Sequence, residues 1–324
     1  MTITQAEAIE EVWSLWENIL SQKQDSTIFL TPWWQHTWWK HFGTDFEQVI
    51  LVAKNETVPV GIAPLVKKNG KLTFFGSTDL FDYHDFIVPQ HNEELFFSIL
   101  FEYLVSLEWE SLELESIRDT SPTMRILPTT AESVGMSVKI EQEDVSPAAS
   151  LQPSWEDYLA GLPKKDRHEL KRKIRRLNRS GEVTNHTYTT ITEARDYLDE
   201  FFRLHKASSP DKHEFMTTER EAFFKDAVAE AAKHEMLRLE FLELDGVRIA
   251  SCLGFDYGNA YLLYNSGYDP DYSDLSVGIV SKSLAIKQAI ESGKNVFDFL
   301  RGSERYKYHL GAQDHLTYRL SIRR

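Results

Sequence analysis

The same order of elements is written twice along this chain, and that constrains its fold more than any single motif. In the first half, Gln48–Asn55 alternates as a strand. A turn at Asn55-Glu56-Thr57 leads into Val58–Lys67, and Gly70 turns the chain into Leu72–Thr78. An acidic patch at Asp79 follows. A helix is then predicted from Asn92 to Leu107, with Leu95, Ile99, Tyr103 and Leu107 at four-residue steps, and a strand over Ser111–Ile117. In the second half, Leu237–Asp245 reads as a strand, Asp245-Gly246 as a hairpin turn and Val247–Asp256 as the returning strand. Tyr257-Gly258-Asn259 turns into Ala260–Asp269. A helix runs from Ser276 to Ser292 with Gly293 as its stop, and a strand covers Asn295–Arg301. The residues differ between the halves, so the pattern repeats and the sequence does not.

A length of 324 residues suits two domains. Asp144–Pro153 has two prolines among small and polar residues and reads as a linker, and Ser154-Trp-Glu-Asp157 has capping-box form. The expected domains are therefore 1–150 and 151–324. No run approaches about 18 apolar residues, so no membrane span is expected. Met1–Leu20 carries Glu7, Glu10, Glu11 and Glu17, the composition of an acidic amphipathic helix and not of a signal peptide. A cytoplasmic location follows as an expectation. The single cysteine, Cys252, lies in an apolar run and is read as a buried small hydrophobe. Trp33, Trp34, Trp38 and Trp39 are read as core, with Trp34 and Trp38 on one helix face.

Charge is unevenly spread. The chain carries −14 overall, yet residues 163–181 hold nine basic side chains against Asp166 and Glu169. The segment is +7, which leaves −21 for the rest. Leu170, Ile174 and Leu177 form one narrow apolar stripe on it. Such an island on an acidic protein suits an anionic partner, with Arg172 and Arg176 among its contacts. CoA phosphates, a tRNA backbone, a nucleotide-linked precursor and an anionic lipid or polysaccharide all qualify. Aromatic residues are scarce within it, so base stacking is not supported.

Three antiparallel strands, a helix and a strand beside the third resemble the core of the GNAT acyltransferase fold. The predicted class is thus α+β (mixed α/β): two tandem GNAT-like domains, each a mostly antiparallel sheet flanked by helices. Phe297–Gly311, with Arg301, Gly302, Glu304, Tyr306 and Lys307, resembles the signature of the acetyltransferase family associated with bacterial cellulose-biosynthesis CelD proteins. Thr31–Gly43 and Leu162–Lys173 fit the same family. The chain is also similar to the Fem-type peptidyltransferases, tandem GNAT domains that use aminoacyl-tRNA.

The resemblance implies direct N-acyl transfer from an acyl thioester, with acyl-CoA as co-substrate, to an amine on a sugar, peptide or small metabolite. It places the donor's diphosphate at a helix N-terminus, where free amides and the helix dipole favour anions. Here that is Ser276, Val277, Gly278 and Ile279. The family's usual loop, Arg/Gln-x-x-Gly-x-Gly/Ala, is eroded: in Ser273–Val280 only Gly278 remains and the leading cation is missing. The matching helix of the first half begins Asn92-Glu93-Glu94, and two carboxylates there repel an anion. The first half is therefore expected to be a degenerate copy and the second the working one.

Candidate catalytic residues are Lys307 for an oxyanion or phosphate, Tyr306 as proton donor, Asp298 as a carboxylate on an apolar strand, and Tyr264. Arg301, Glu304, Ser266 and Tyr268 are candidate substrate contacts, with Tyr264, Ser266 and Tyr268 on one strand face by alternation. In the first half, Asp82, His84 and Asp85 stand among Phe81, Tyr83 and Phe86. They suit either acceptor recognition or a capped turn with packed rings. The histidines lack ligand spacing, so no metal is expected. Two rivals remain open. One is a Fem-like aminoacyl-tRNA transferase, although no long heptad run marks the coiled-coil arm of those enzymes. The other is a non-catalytic protein of envelope or exopolysaccharide assembly, a polysaccharide-biosynthesis role.

Overall fold

The computed structural model describes residues 1–324 and divides them into two compact units, 1–145 with 315–324, and 146–314. The first unit contains β1 (Thr2–Ala6), α1 (Trp13–Leu20), α2 (Pro32–Phe42), β2 (Glu47–Asn55), β3 (Val58–Lys68), β4 (Lys71–Phe74), α3 (Glu93–Ser106), β5 (Ser111–Arg118), α4 (Pro122–Ser133) and β6 (Ser137–Val145). The second contains β7 (Ala148–Ser150), α5 (Trp155–Gly161), α6 (Lys164–Asn178), β8 (Val183–Tyr188), α7 (Ile191–Arg195), α8 (Leu198–Ala207), α9 (Pro210–Phe215) and α10 (Thr218–Lys233). It continues with β9 (Leu237–Leu244), β10 (Val247–Tyr257), β11 (Ala260–Tyr268), α11 (Val277–Glu291), β12 (Val296–Asp298) and α12 (Arg305–His309). The chain then returns to the first unit as β13 (Leu316–Arg323).

Each unit is a sheet with helices against it, the mixed α/β class that the repeated pattern predicted. The first sheet runs β1-β2-β3-β4-β5-β13-β6 and the second β7-β12-β11-β10-β9-β8. Within both, three antiparallel strands precede a helix, and the strand after that helix pairs parallel with the third: β4 with β5, and β11 with β12. The duplication thus reaches the strand directions.

Three local expectations change. The stretch read as a linker contains β7, which pairs antiparallel with β12, because Ala148 and Ala149 are buried and complete the sheet edge. The terminal strand, placed by sequence in 151–324, inserts between β5 and β6 of the first sheet. Leu320 and Ile322 alternate into that unit's core, which a sequence reading confined to neighbouring residues does not see. Finally, the predicted strand Asn295–Arg301 is only three residues long; Leu300 takes φ +57° and ends it.

The tryptophan segment is α2, capped by Thr31 and started by Pro32. Trp33, Trp34 and Trp38 are buried, and Trp34 meets Phe29 edge to face at 5.2 Å. Ser154 caps α5 by accepting the Asp157 amide at 3.1 Å.

Candidate functional site

The working geometry of the second unit begins at a divergence. β11 pairs with β12 only over Ala260–Leu262, because β12 stops at Asp298. Beyond that, residues 263–268 have no strand partner on the β12 side. The register with β10 also slips there: Leu253 faces Asn265 and Gly254 faces Leu263, so Tyr264 is an extra residue in a β-bulge. Gly267 lets α8 press on this strand; a Cβ there would lie 2.3 Å from the His205 backbone nitrogen. Against the splayed strand lies a cavity of about 580 Å³, lined by residues of β11, the start of α11, α9 and the 299–307 segment.

The mouth of this cavity is the N-terminus of α11. Ser276 holds the N-cap position, where a serine side chain ordinarily accepts a helix amide. Instead it adopts the left-handed conformation (φ 59°) and makes no cap. Its hydroxyl takes hydrogen bonds from Arg176 at 2.8 Å and Lys173 at 3.3 Å, both on α6. The carbonyl of Ser276 takes the amides of Ile279 and Val280, while those of Val277 and Gly278 make no bond elsewhere in the chain. Free amides, a helix dipole, no acid in the first turn and two cations make this an anion site. Arg176 was predicted; Lys173 was not singled out. Arg172 does not join them: it lies on the exposed side of α6, bonded to Glu169 at 2.7 and 2.8 Å.

The signature segment 297–311 is a scaffold. Lys307 is 1% exposed. Its ammonium donates to the carbonyls of Leu300 (2.9 Å), Arg301 (2.6 Å) and Gly302 (2.8 Å), and it pairs with Glu304 at 2.9 Å. An ammonium has three hydrogens, and four acceptors already surround this one. Lys307 borders the cavity with its ammonium already occupied: it clamps the turn at Leu300 and Gly302 and so positions its neighbours. Asp298 belongs to the same scaffold, accepting the Leu300 amide at 2.8 Å, and is not on the cavity wall.

What the scaffold presents is Phe299, Arg301, Glu304 and Tyr306, all on the wall. Burial pushes the Tyr306 phenol well up, so its proton is retained at neutral pH. Tyr264, Ser266, Tyr268, Val277, Gly278 and Ile279 also line the cavity; Tyr264 packs on Phe224 and Phe255 at 5.3 and 5.4 Å.

Sequence reasoning missed four residues here. Asn265 lines the cavity because the bulge re-aims β11; simple alternation puts it on the face opposite Tyr264 and Ser266. His205 holds its amide oxygen at 2.9 Å. Burial and nearby Lys212 lower that imidazole to about 4, so it is neutral and donates from Nε2, leaving the Asn265 amino group for a ligand. Lys212 on α9 and Lys282 on α11 bring two more ammonium groups to the wall. No local pattern marked them; only the packing of α9 and α11 against β11 does.

In the first unit the corresponding helix end carries acids. Glu93 and Glu94 stand in the first turn of α3, tied to Arg125 at 2.5 and 2.9 Å. The ring of His84 stacks on Phe74 and Phe81, with centroids 5.5 and 4.9 Å away. Asp85 is buried and accepts from Lys23 at 2.9 Å, Thr123 at 2.5 Å and the Phe86 amide. Of the two open readings for Asp82, His84 and Asp85, the capped turn with packed rings describes His84 and Asp85. Both also border a polar cavity of about 370 Å³ that Glu93 and Arg125 line as well and Asp82 does not. Cys252 is buried beside Ser281, and burial pushes its thiol up to about 11.

Residues 164–308 match the family model described as the acetyltransferase (GNAT) domain. That stretch begins with α6 and ends within α12, so it contains the cavity, both cations at its mouth and the clamp. This match supports a GNAT-type N-acetyltransferase domain within the second unit. No curated protein matches the sequence. Among solved structures, FemX superposes with a TM-score of 0.68 at 12% identity, covering 98% of this chain and 97% of that one. A tandem GNAT protein from the clavulanic acid biosynthesis pathway gives 0.53 at 9% identity, covering 99% and 98%. L-PGS from Bacillus licheniformis gives 0.53 at 10% identity, covering 89% and 90%. These likenesses establish the tandem fold along the whole chain. No helix is long and apolar enough to cross a membrane.

Proposed function

We propose that the second unit transfers an acyl group directly from an acyl-CoA to an amine held in the 580 Å³ cavity. The observation that carries this reading is the convergence of Lys173 and Arg176 on Ser276 at the open end of α11, beside the unpaired half of β11. It supplies from another helix the cation that the eroded loop lacks. In this reading the diphosphate rests on the amides of Val277 and Gly278, with Ile279 beside it. The pantetheine arm then follows the gap between β11 and β12.

The amine loses a proton, the tetrahedral oxyanion is stabilised and the thiolate is protonated. Glu304 is the carboxylate on the cavity wall and is placed to accept the amine's proton. The Asn265 amino group, fixed by His205, is a donor for the oxyanion. Tyr306, kept protonated by burial, donates a hydrogen bond to the departing thiolate, which takes up the proton that Glu304 accepted from the amine. Tyr264, Ser266, Tyr268 and Arg301 shape the acceptor's seat. No covalent intermediate is required, since positioning alone supplies much of the rate. The resemblance of 297–311 to the CelD-associated family belongs to this reading, with polysaccharide amines among the possible acceptors.

Calorimetry with acetyl-CoA, coupled to detection of free CoA thiol over a pool of amines, tests it. Saturable donor binding and thiol release are expected, with the double variant Lys173→Ala/Arg176→Ala binding about 30-fold more weakly, two lost charge-assisted bonds at about 1 kcal/mol each. Absence of both binding and release in the native protein rejects acyl-CoA as donor.

A second reading, an aminoacyl-tRNA donor as in Fem-type transferases, is favoured by one feature. Lys164, Lys165, Lys171, Arg172, Arg175 and Arg179 are exposed on α6, away from the stripe of Leu170, Ile174 and Leu177. Salt-dependent tRNA binding that is lost in Arg172→Gln/Arg175→Gln supports that donor; unchanged binding rejects it.

A further inference from the structure

We infer that the acceptor carries a carboxylate of its own, received in the second unit's cavity by Lys212 and Lys282, so that the substrate class is a carboxylate-bearing amine such as an amino acid. The inference rests on reading this cavity as the place of transfer. Lys282 is buried, 7% exposed, on the second turn of α11. Its ammonium bonds only to the Gly278 carbonyl of its own helix, at 3.1 Å, and stands 4.9 Å over the Tyr306 ring. Lys212 is half-buried on α9 and donates to the Ser266 carbonyl at 2.5 Å. Neither forms an ion pair, and the acid on the same wall, Glu304, is held by Lys307.

Each ammonium has three donors and uses one within the chain. Buried charge without a partner is expensive, and the expense is visible. Burial, with repulsion from Lys282, lowers Lys212 to about 8, and burial lowers Lys282 as well, against the attraction of the Glu304 carboxylate for both. The first unit shows the contrast: its buried lysine, Lys23, comes with its own carboxylate, Asp85, at 2.9 Å. Two under-bonded ammonium groups on one cavity wall call for an anion from outside the chain. The donor's phosphates already have the α11 N-terminus with Lys173 and Arg176. The second anion therefore belongs to the other substrate, and a carboxylate next to an amine places the nucleophile in the same cavity as Glu304 and Asn265.

The full-length protein is titrated with L-alanine, L-glutamate and L-lysine and with their methyl esters, which keep the α-amine and remove the α-carboxylate. Inorganic phosphate and CoA are titrated separately. At least one acid is expected to bind about tenfold or more tightly than its ester. Lys212→Met and Lys282→Met are each expected to reduce that ratio to about twofold or less, with CoA affinity unchanged. Equal binding of every acid and ester pair overturns the inference. So does a lysine variant that lowers CoA or phosphate affinity and leaves the acid-to-ester ratio intact, which assigns the lysines to the donor. If acids are preferred through Lys212 and Lys282 but CoA does not bind at all, the carboxylate site stands and the acyl-CoA reading fails. Should Lys282→Met not fold, as circular dichroism reports, the partly exposed Lys212→Met carries the test.

Discussion

The two units repeat one topology, yet the places where their third and fourth strands part are opposite in character. In the first, α3 opens with Glu93 and Glu94 bonded to Arg125, and His84 lies stacked between Phe74 and Phe81. In the second, α11 opens with no acid, two cations reach Ser276, and a cavity of about 580 Å³ remains. The same backbone thus presents carboxylates or cations at its helix end according to which side chains stand there. Buried lysines differ as well. The first unit neutralises Lys23 with Asp85 internally. The second pairs Lys307 with Glu304, but gives Lys212 and Lys282 one backbone carbonyl each and no carboxylate, and leaves one oxygen of Glu240 without a hydrogen bond.

Substitutions that erase or exchange these differences test the comparison. The largest effect is expected for Lys307→Met. Three carbonyls and Glu304 lose their buried donor, so roughly 4 kcal/mol of stability and most acyl transfer are lost together. Chemical denaturation and an acyl-transfer assay read both. Asp85→Ala should cost about 3 kcal/mol by stranding Lys23, with donor binding per folded molecule unchanged, since the proposed donor site lies in the second unit. Denaturation with calorimetry on the folded fraction separates the two quantities. Ser276→Asp gives α11 the acid that α3 has. The carboxylate pairs with Lys173 and Arg176, and acetyl-CoA affinity should fall about 30-fold, or about 2 kcal/mol.

The smallest effect is a gain. Burial pushes Glu240 up to about 8, with the Tyr261 hydroxyl at 3.2 Å. The folded state therefore holds this proton between pH 4.5 and 8 while the unfolded state releases it. Stability contributed by the protonated form is full below pH 4.5 and declines as pH rises toward 8. Glu240→Gln should remove that decline, adding about 2 kcal/mol at pH 6 and little at pH 4.5. Denaturation midpoints across that range decide it; a pH-independent difference contradicts a protonated Glu240.

Much of this architecture was legible in residue order. Turn signals such as Asp245-Gly246, strand alternation and the four-residue steps of α3 located both copies of the repeat, and Glu93 and Glu94 already marked the first helix end as acidic. The stretch before Ser154 was misread because prolines and small residues describe a linker and an edge strand equally well; β7 exists only because β12 offers it an edge. Lys307 was singled out correctly as a centre of the signature, but its direction was not. A lysine beside a tyrosine and a glycine looks the same whether it points at a ligand or at the carbonyls of its own turn.

By itself, the sequence determined the elements, their duplication and the sign of charge on each, because turns, periodicity and helix-terminal acids act within a few residues. Tertiary structure decided which charges meet. It brought Lys173 and Arg176 to Ser276 across about a hundred residues of chain, turned Arg172 away, exposed Asn265 through a bulge and gave the last strand to the first sheet. Coulomb and hydrogen-bond energies depend on distances of a few ångströms, and for residues far apart in the chain only packing sets those distances.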